Sequence, residues 1–294
     1  MAERPAARTV TGSSGPLALV KAALPAIPGV KELPGIRKTG GEFGGLGFSG
    51  PAVRIDRYDV ERYAGVCGFP IKDTVPLPYP HMLAFPLHMA LMSDPVFPTP
   101  AMGMVHIENS ITGHRPISVG ETLTAGVWVG RALPHPVGTA YQFATTVTDA
   151  SGETVWEEVS TYLRRGPRNP DAVWSSSFEE VPAGGTVWPL GADLGRRYAR
   201  VSGDFNPIHL TGVTAKALGF PRQIAHGMWT MARCVAALEN RLPDAVTVDV
   251  AFKKPVFLPS SVAFGSRHAG GGYEFSLTKR GSDTIHLLGR ATPA

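Results

Sequence analysis

The sequence predicts an α+β fold of two similar halves, each an antiparallel sheet curled around one apolar helix. Three observations carry this prediction. Segments near the C-terminus alternate apolar and polar residues, the period of half-buried strands. The stretch Gly227 to Asn240 is apolar on nearly every side, as a helix buried all round would be. Two short motifs recur in the same order in both parts of the chain.

In chain order, residues 1–50 are rich in Gly, Pro, Ala and Ser and read as a loose arm rather than a signal peptide. Leu17 to Leu24 is expected to make one short helix, and Gly40 to Gly50 is too glycine-rich for regular structure. A first half spans residues 51–165 and a second spans 189–294. Residues 166–188, with Gly166-Pro-Arg-Asn-Pro170, Ser175-Ser-Ser177 and Pro182-Ala-Gly-Gly185, have linker composition.

The halves line up at Val60-Glu-Arg-Tyr-Ala-Gly-Val-Cys-Gly68 with Gly195-Arg-Arg-Tyr-Ala-Arg-Val-Ser-Gly203. They line up again at His114-Arg-Pro-Ile117 with Lys253-Lys-Pro-Val256. In the second half, strands are expected at 246–252, Ser261 to Phe264, Tyr273 to Leu277 after the Gly270-Gly-Gly272 turn, and Thr284 to Arg290. In the first they are expected at Thr122 to Val129, Thr139 to Thr148 and Val155 to Leu163. The first-half helix reads as weaker. Its candidate is Phe85 to Met92, with Pro86 in the first turn, where proline is tolerated. A degraded helix there would leave space beside the sheet for an apolar ligand tail.

Composition narrows the classes. The chain has 294 residues, 43% hydrophobic and 18% charged, which suits a globular protein with a sizeable core. The net charge is +4, without a Lys/Arg run dense enough for a nucleic-acid surface. A mild basic excess suits a phosphate-bearing ligand and equally a plain basic protein. The two cysteines, Cys67 and Cys234, offer no disulfide framework or zinc spacing, so a reducing cytoplasm is the expected compartment. No apolar run is long enough to span a bilayer.

The chemistry concentrates in Tyr198-Ala-Arg-Val-Ser-Gly-Asp-Phe-Asn-Pro-Ile-His209. The Gly203, Asn206 and Pro207 turn brings Asp204 and His209 toward one cavity. A carboxylate and an imidazole sharing a water can polarise it, or pass a proton to or from carbon. Gly227 follows at the start of the apolar helix. Its N–H is an unsatisfied donor at the positive end of the helix dipole and can bind the oxygen of an enolising carbonyl. Each residue alone suits a structural role, but the set together favours chemistry. Asn206 fixes the turn and orients Asp204, and Ser202 is a second site-shaping residue. His226 caps or packs at the helix start and is not assigned as a base. The nine histidines show no metal-ligand spacing, so no metal is expected.

This motif, followed by Ile224-Ala-His-Gly-Met228, resembles the signature of the MaoC-like (R)-specific enoyl-CoA hydratases, the type 2 hydratases. Pro80-His-Met-Leu-Ala-Phe-Pro86 and His106-Ile-Glu-Asn109 extend the resemblance into the first half, toward 3-hydroxyacyl-thioester dehydratases. It covers about residues 50 to 292.

The resemblance implies a double hotdog fold and reversible syn addition of water to a trans-2-enoyl thioester, giving an (R)-3-hydroxyacyl thioester. It implies that Asp204 and His209 hold and activate the water and that Gly227 N–H polarises the thioester carbonyl. The substrate arrives on CoA or acyl carrier protein, with no further cofactor. Homodimerisation is the expected self-association. The first half has Phe69-Pro70 where the motif needs its acid, so one site per chain is expected, with the first half building the acyl pocket. Lys253 and Lys254 are candidates for a CoA or phosphopantetheine phosphate, or are simply solvated at a strand end. Two other readings stay open: a hotdog thioesterase, for which the helix offers only Glu239, and a non-catalytic acyl-binding subunit of a fatty-acid synthase complex.

Overall fold

The computed structural model describes residues 8–9, 38–40, 43–175 and 177–294. The helix expected at Leu17 to Leu24 lies outside the described residues. By its contacts the chain forms two compact units. One comprises Met1–Arg54, Pro80–Ile107 and Glu121–Ser175; the other comprises Ile55–Tyr79, Glu108–Gly120 and Ser176–Ala294. Two segments of the first half therefore fold with the second.

In the first unit, strands β5 (Thr122–His135), β6 (Gly138–Thr148) and β7 (Thr154–Arg165) form an antiparallel meander. The edge is extended by β2 (Gly47–Ser49), with the two-residue β1 (Arg8–Thr9) parallel to it, and β3 (Val53–Arg54) also pairs with β5. β2 falls in the glycine-rich stretch expected to lack regular structure. Its Gly47 faces the Trp128 ring, so a glycine is what the close approach needs.

The helix of this unit, α2 (His81–Ser93), has 13 residues, starts four residues earlier than expected and is not degraded. Pro86 lies inside it rather than in the first turn. The proline has no N–H to give the Met82 carbonyl, a defect that costs about 3 kcal/mol in a helix interior. Burial of Phe85, Leu87, Met89, Leu91 and Met92 offsets it, at roughly 1.5–3 kcal/mol per side chain. The Lys38 ammonium closes the helix end by donating to the carbonyls of Met92 (2.6 Å) and Asp94 (2.8 Å).

In the second unit, β9 (Val246–Phe252), β12 (Ile285–Pro293), β11 (Gly272–Lys279), β10 (Ser260–Ala269) and β8 (Thr186–Leu190) run antiparallel in that spatial order. On the other side of β9 lies residues 108–113 of β4 (Met104–Gly113), a strand not expected from the sequence. β8 overlaps the end of the stretch read as linker. After the short helix α4 (Gly212–Ala217), helix α5 (Gly227–Leu238) continues as a short 3-10 turn to Arg241. It buries Met228, Trp229, Met231, Cys234, Val235 and Leu238, and leaves only a half-exposed strip at Arg233, Ala236 and Ala237.

Two more helices, α1 (Arg57–Cys67) and α3 (Leu194–Ser202), pack together, and α1 touches α5. Trp229 Nε1 donates to the Val66 carbonyl (3.0 Å), and Tyr63 lies 6.2 Å from Tyr198, ring to ring.

The internal repeat is visible in hydrogen bonds. α1 ends at Gly68 (φ 82°) and α3 at Gly203 (φ 74°), each donating its N–H to an alanine carbonyl, Ala64 (2.7 Å) and Ala199 (2.9 Å). Further on, Val75 N–H donates to Ile117 O and Ala225 N–H to Val256 O, both at 2.8 Å. Each pair sits beside an isolated bridge, Thr74 with Ser118 and Ile224 with Phe257.

Candidate active site

Gly203, in the left-handed region that a side chain would resist, turns the chain out of α3. The next residue, Asp204, donates its N–H to Ser202 Oγ (3.2 Å), while its own Oδ1 accepts the Asn206 N–H (3.0 Å). Asn206 Oδ1 accepts the Ile208 N–H (3.3 Å) and caps a 3-10 turn over Pro207–His209. Ser202 and Asn206 thus hold both sides of the turn. The turn also packs tightly on α3: a Cβ on Gly195 would stand 1.9 Å from the His209 carbonyl oxygen.

The orientation of His209 is set by Nδ1–H, which donates to the Ile224 carbonyl (2.9 Å). That bond leaves Nε2 as the bare lone pair. His209 is buried, whereas the Asp204 side chain keeps 23% of its surface. Burial pushes the His209 imidazole below its ordinary range, opposed by Asp204 and by the bond to Ile224. The ring is therefore neutral near pH 7 and able to accept a proton.

His226, not expected to do more than cap or pack, joins the same cluster. Its Nε2–H donates to the Asp204 carbonyl (2.9 Å) and lies 3.8 Å from Asp204 Oδ2. Its ring stacks on His209, with centroids 3.7 Å apart and planes 25° apart. Burial and the neighbouring His209 push it down to about 3, against Asp204. Tyr198 lies against His226 (4.9 Å), a contact that spans 28 positions and leaves no mark in the sequence. The available signal for His226 was its place directly before Gly227 at the helix start.

Gly227 opens α5. The first helical bond is from Thr230 N–H to His226 O (3.2 Å), so the N–H groups of residues 227–229 have no acceptor within the helix. A Cβ on Gly227 would rest 3.4 Å from the Phe252 ring. This brings the end of β9, and hence Lys253 and Lys254, next in sequence, near the helix start. Lys253 N–H donates to His286 O (2.9 Å), and His286 Nδ1–H donates to Lys254 O (3.0 Å). Both side chains are exposed.

Among the described residues the fold assembles two histidine–carboxylate groups; the spacing anticipates Asp204 with His209 in the first but not His226, and nothing of the second. In the first, the donor atoms of Asp204, His209 and His226 lie within 4.8 Å of one another. Each histidine of this group already commits one ring nitrogen to a main-chain carbonyl, His209 to Ile224 and His226 to Asp204. The second is in the other unit: His81 Nδ1 bonds Glu158 (2.8 Å), and His88 bonds Tyr162 (3.2 Å) and Thr145 (3.1 Å). It is fully buried, and both nitrogens of His88 are already engaged.

The MaoC like domain family matches residues 186–284. 3-Hydroxyacyl-thioester dehydratase X of Mycobacterium tuberculosis is 34% identical over 288 residues, covering 95% of this chain and 98% of its own length. Its crystal structure, HtdX, superposes with a TM-score of 0.75 over 84% of this chain and 100% of that one, at 34% identity. An (R)-specific enoyl-CoA hydratase of Aeromonas caviae is 34% identical over 77 residues, 25% of this chain and 58% of that protein. A further M. tuberculosis protein, Rv0216, described as having a double hotdog fold, matches at TM-score 0.55 and 13% identity, covering 83% of this chain and 93% of that one. The fold is thus the double hotdog. The chain belongs to the MaoC-like dehydratase family of 3-hydroxyacyl-thioester dehydratases.

Proposed function

We propose that this chain interconverts a trans-2-enoyl thioester and an (R)-3-hydroxyacyl thioester by syn addition and loss of water. One observation carries the reading: the partly exposed Asp204 carboxylate lies beside a neutral His209 whose bare Nε2 is fixed by the bond from Nδ1 to Ile224. A water bridging the two groups is polarised by both.

In hydration, one group takes the water's proton as the oxygen bonds to Cβ of the enoyl chain. The π electrons move toward the thioester carbonyl, and the Gly227 N–H at the helix start stabilises the enolate-like oxygen. That same proton is then delivered to Cα on the same face, directly or relayed between the two groups, so the addition is syn and both groups return to their starting state. The (R) outcome is supported by the name of the A. caviae relative and the dehydratase direction by that of the M. tuberculosis relative.

The carrier is CoA or acyl carrier protein, and Lys253 and Lys254 are the proposed contacts for its phosphate. Apart from the carrier, the mechanism uses no cofactor. A cytoplasmic location fits two buried, unpaired cysteines, and no helix among the described residues is long and apolar enough to cross a membrane. A homodimer is the proposed assembly, and the first half is proposed to shape the acyl pocket.

The thioesterase alternative needs an acid on the central helix. Glu239, beyond its far end, is paired with Lys72 (3.1 Å) instead. The non-catalytic alternative gains nothing from an intact motif.

The decisive experiment follows loss of enoyl-thioester absorbance across a chain-length series of trans-2-enoyl-CoA substrates, with chiral analysis of the product. The expected product is the (R)-3-hydroxyacyl thioester. An (S) product, release of free thiol, or binding without turnover overturns the assignment.

A further inference from the structure

His226 is the residue before α5, with extended backbone (φ −67°, ψ 140°), yet its side chain makes no capping bond to the helix's own N–H groups. It reaches across the site instead. Because Nε2 carries the hydrogen donated to the Asp204 carbonyl, Nδ1 is a bare acceptor, and it is buried with no hydrogen-bond partner. A buried, unsatisfied acceptor opposes folding, because it has given up water without gaining a partner. Simple helix capping would have avoided that cost with Ser, Asp or Asn at this position. The ring is held between His209 on one face (3.7 Å) and Tyr198 (4.9 Å).

We propose that His226 is a positioning residue: it anchors the Asp204 main chain to the start of α5 and seals one face of His209, leaving the Nε2 edge as the exit for a proton. This rests on the proposed hydratase reading and deepens it. Two separable functions reside in one side chain, a donated N–H and a covering ring. The groups facing His209 are Asp204 from the turn and His226 from the helix start, with Tyr198 of α3 behind His226. Removing the cover admits water to His209 and lets the imidazole take a proton more readily. Removing only the N–H frees the Asp204 carbonyl and lets the carboxylate drift, without uncovering His209.

Three variants separate the parts. His226→Phe keeps a flat ring without the N–H, His226→Gln keeps a donor without the ring, and His226→Ala removes both. Each is measured for kcat and KM of enoyl-thioester hydration. The His209 imidazole is titrated by NMR in each folded variant and in the wild type.

In His226→Ala, kcat is expected to fall about 10–100-fold, with KM changed less than about threefold, and His209 to titrate nearer 6.5. In His226→Phe, kcat falls while the His209 titration stays low. His226→Gln recovers part of kcat but not the low titration. Unchanged titration in both His226→Ala and His226→Gln overturns the sealing role. Full activity in His226→Phe overturns the anchoring role. If His226→Ala does not fold, the Phe and Gln variants decide. The NMR arm needs no turnover, so a wild-type chain inactive on every thioester defeats the proposed function while the titration still judges His226.

Discussion

Helices α1 and α3 are two copies of one device, and they part at a single step. Both carry Tyr-Ala at the same place, both end on a left-handed glycine, and both glycines bond back to the alanine. After Gly203 comes Asp204, whose carboxylate reaches a partly exposed site; after Gly68 comes Phe69, which is buried and stacks on Tyr63 (6.4 Å). Further along, the bridge that presents Ala225 and then His226-Gly227 has its twin at Val75, followed by Pro76-Leu77. The scaffold is present in both copies, while the proposed acid, base and helix-start donor stand in one. A helix–turn geometry therefore does not make this chemistry; what is placed on the turn does.

The widest separation between the copies is expected from the chemistry itself. Replacing Asp204 by Asn and His209 by Ala together lowers hydration by about two to four orders of magnitude. Circular dichroism unchanged from the wild type must accompany that fall. Equal turnover in the double variant would put the catalytic turn elsewhere.

Next comes the donor. Gly227→Pro removes one N–H at the first helical position, where proline is accepted, and His226 already has the extended backbone a following proline prefers. A loss of about 10²–10³ in kcat is expected, against a small loss for Gly227→Ala, which keeps the N–H and meets only the Phe252 ring. Similar kinetics for the two variants would remove Gly227 from the mechanism.

Smaller effects test the scaffold. Gly203→Ala meets no atom within 4 Å, so its cost is that of the left-handed backbone, about 1–2 kcal/mol. Gly68→Ala has that cost and also strikes Arg233, which stacks on Trp188 (4.3 Å) and donates to the Gly68 carbonyl (3.3 Å). About 1 kcal/mol more is expected from losing that contact. Urea unfolding of both variants measures the difference, and a larger loss at Gly203 would reverse the assignment of roles.

The gentlest probe is pH. His88 and His226 are pushed down to about 3 by burial, and His209 is also lowered, while the unfolded chain titrates near 6.5. As pH falls below 6.5 the unfolded state takes up protons first, so stability is full above that value and declines toward 3. Melting temperature is expected to drop between pH 7 and 5. His88→Gln should flatten the slope by about 1.4 kcal/mol per pH unit, one proton's worth. An unchanged slope would mean His88 is not held neutral by its surroundings.

Much of this was legible because it is local. The turn from Gly203 to His209 is written in residues with strong backbone preferences, and β9 follows the strict alternation of Val246, Val248 and Val250. What escaped depends on distant contacts. Pro86 argued against a long α2, and only the burial of its neighbours overrides that local penalty. In β4 burial alternates from Glu108 to Gly113, but the buried positions hold Asn109, Ile111 and Gly113, so the apolar pattern that marks a strand is absent. The cover of His226 over His209 and the bond between His81 and Glu158, 77 positions apart, exist only once the sheets have formed.

The segment after residue 176 carries a consequence for how such a chain can be cut or extended. Val181 is buried and donates its N–H to Ser276 Oγ (2.8 Å), and Gly184 N–H donates to Phe264 O (3.0 Å) before β8 begins. Its proline, glycine and serine content suggests a tether, yet it lies stitched along β10 and β11. A new chain terminus or an inserted domain is therefore better tolerated at residues 167–175, which are mostly exposed and outside any strand, than at Val181 or Gly184. A stretch of linker composition between two similar halves is not the same thing as a hinge.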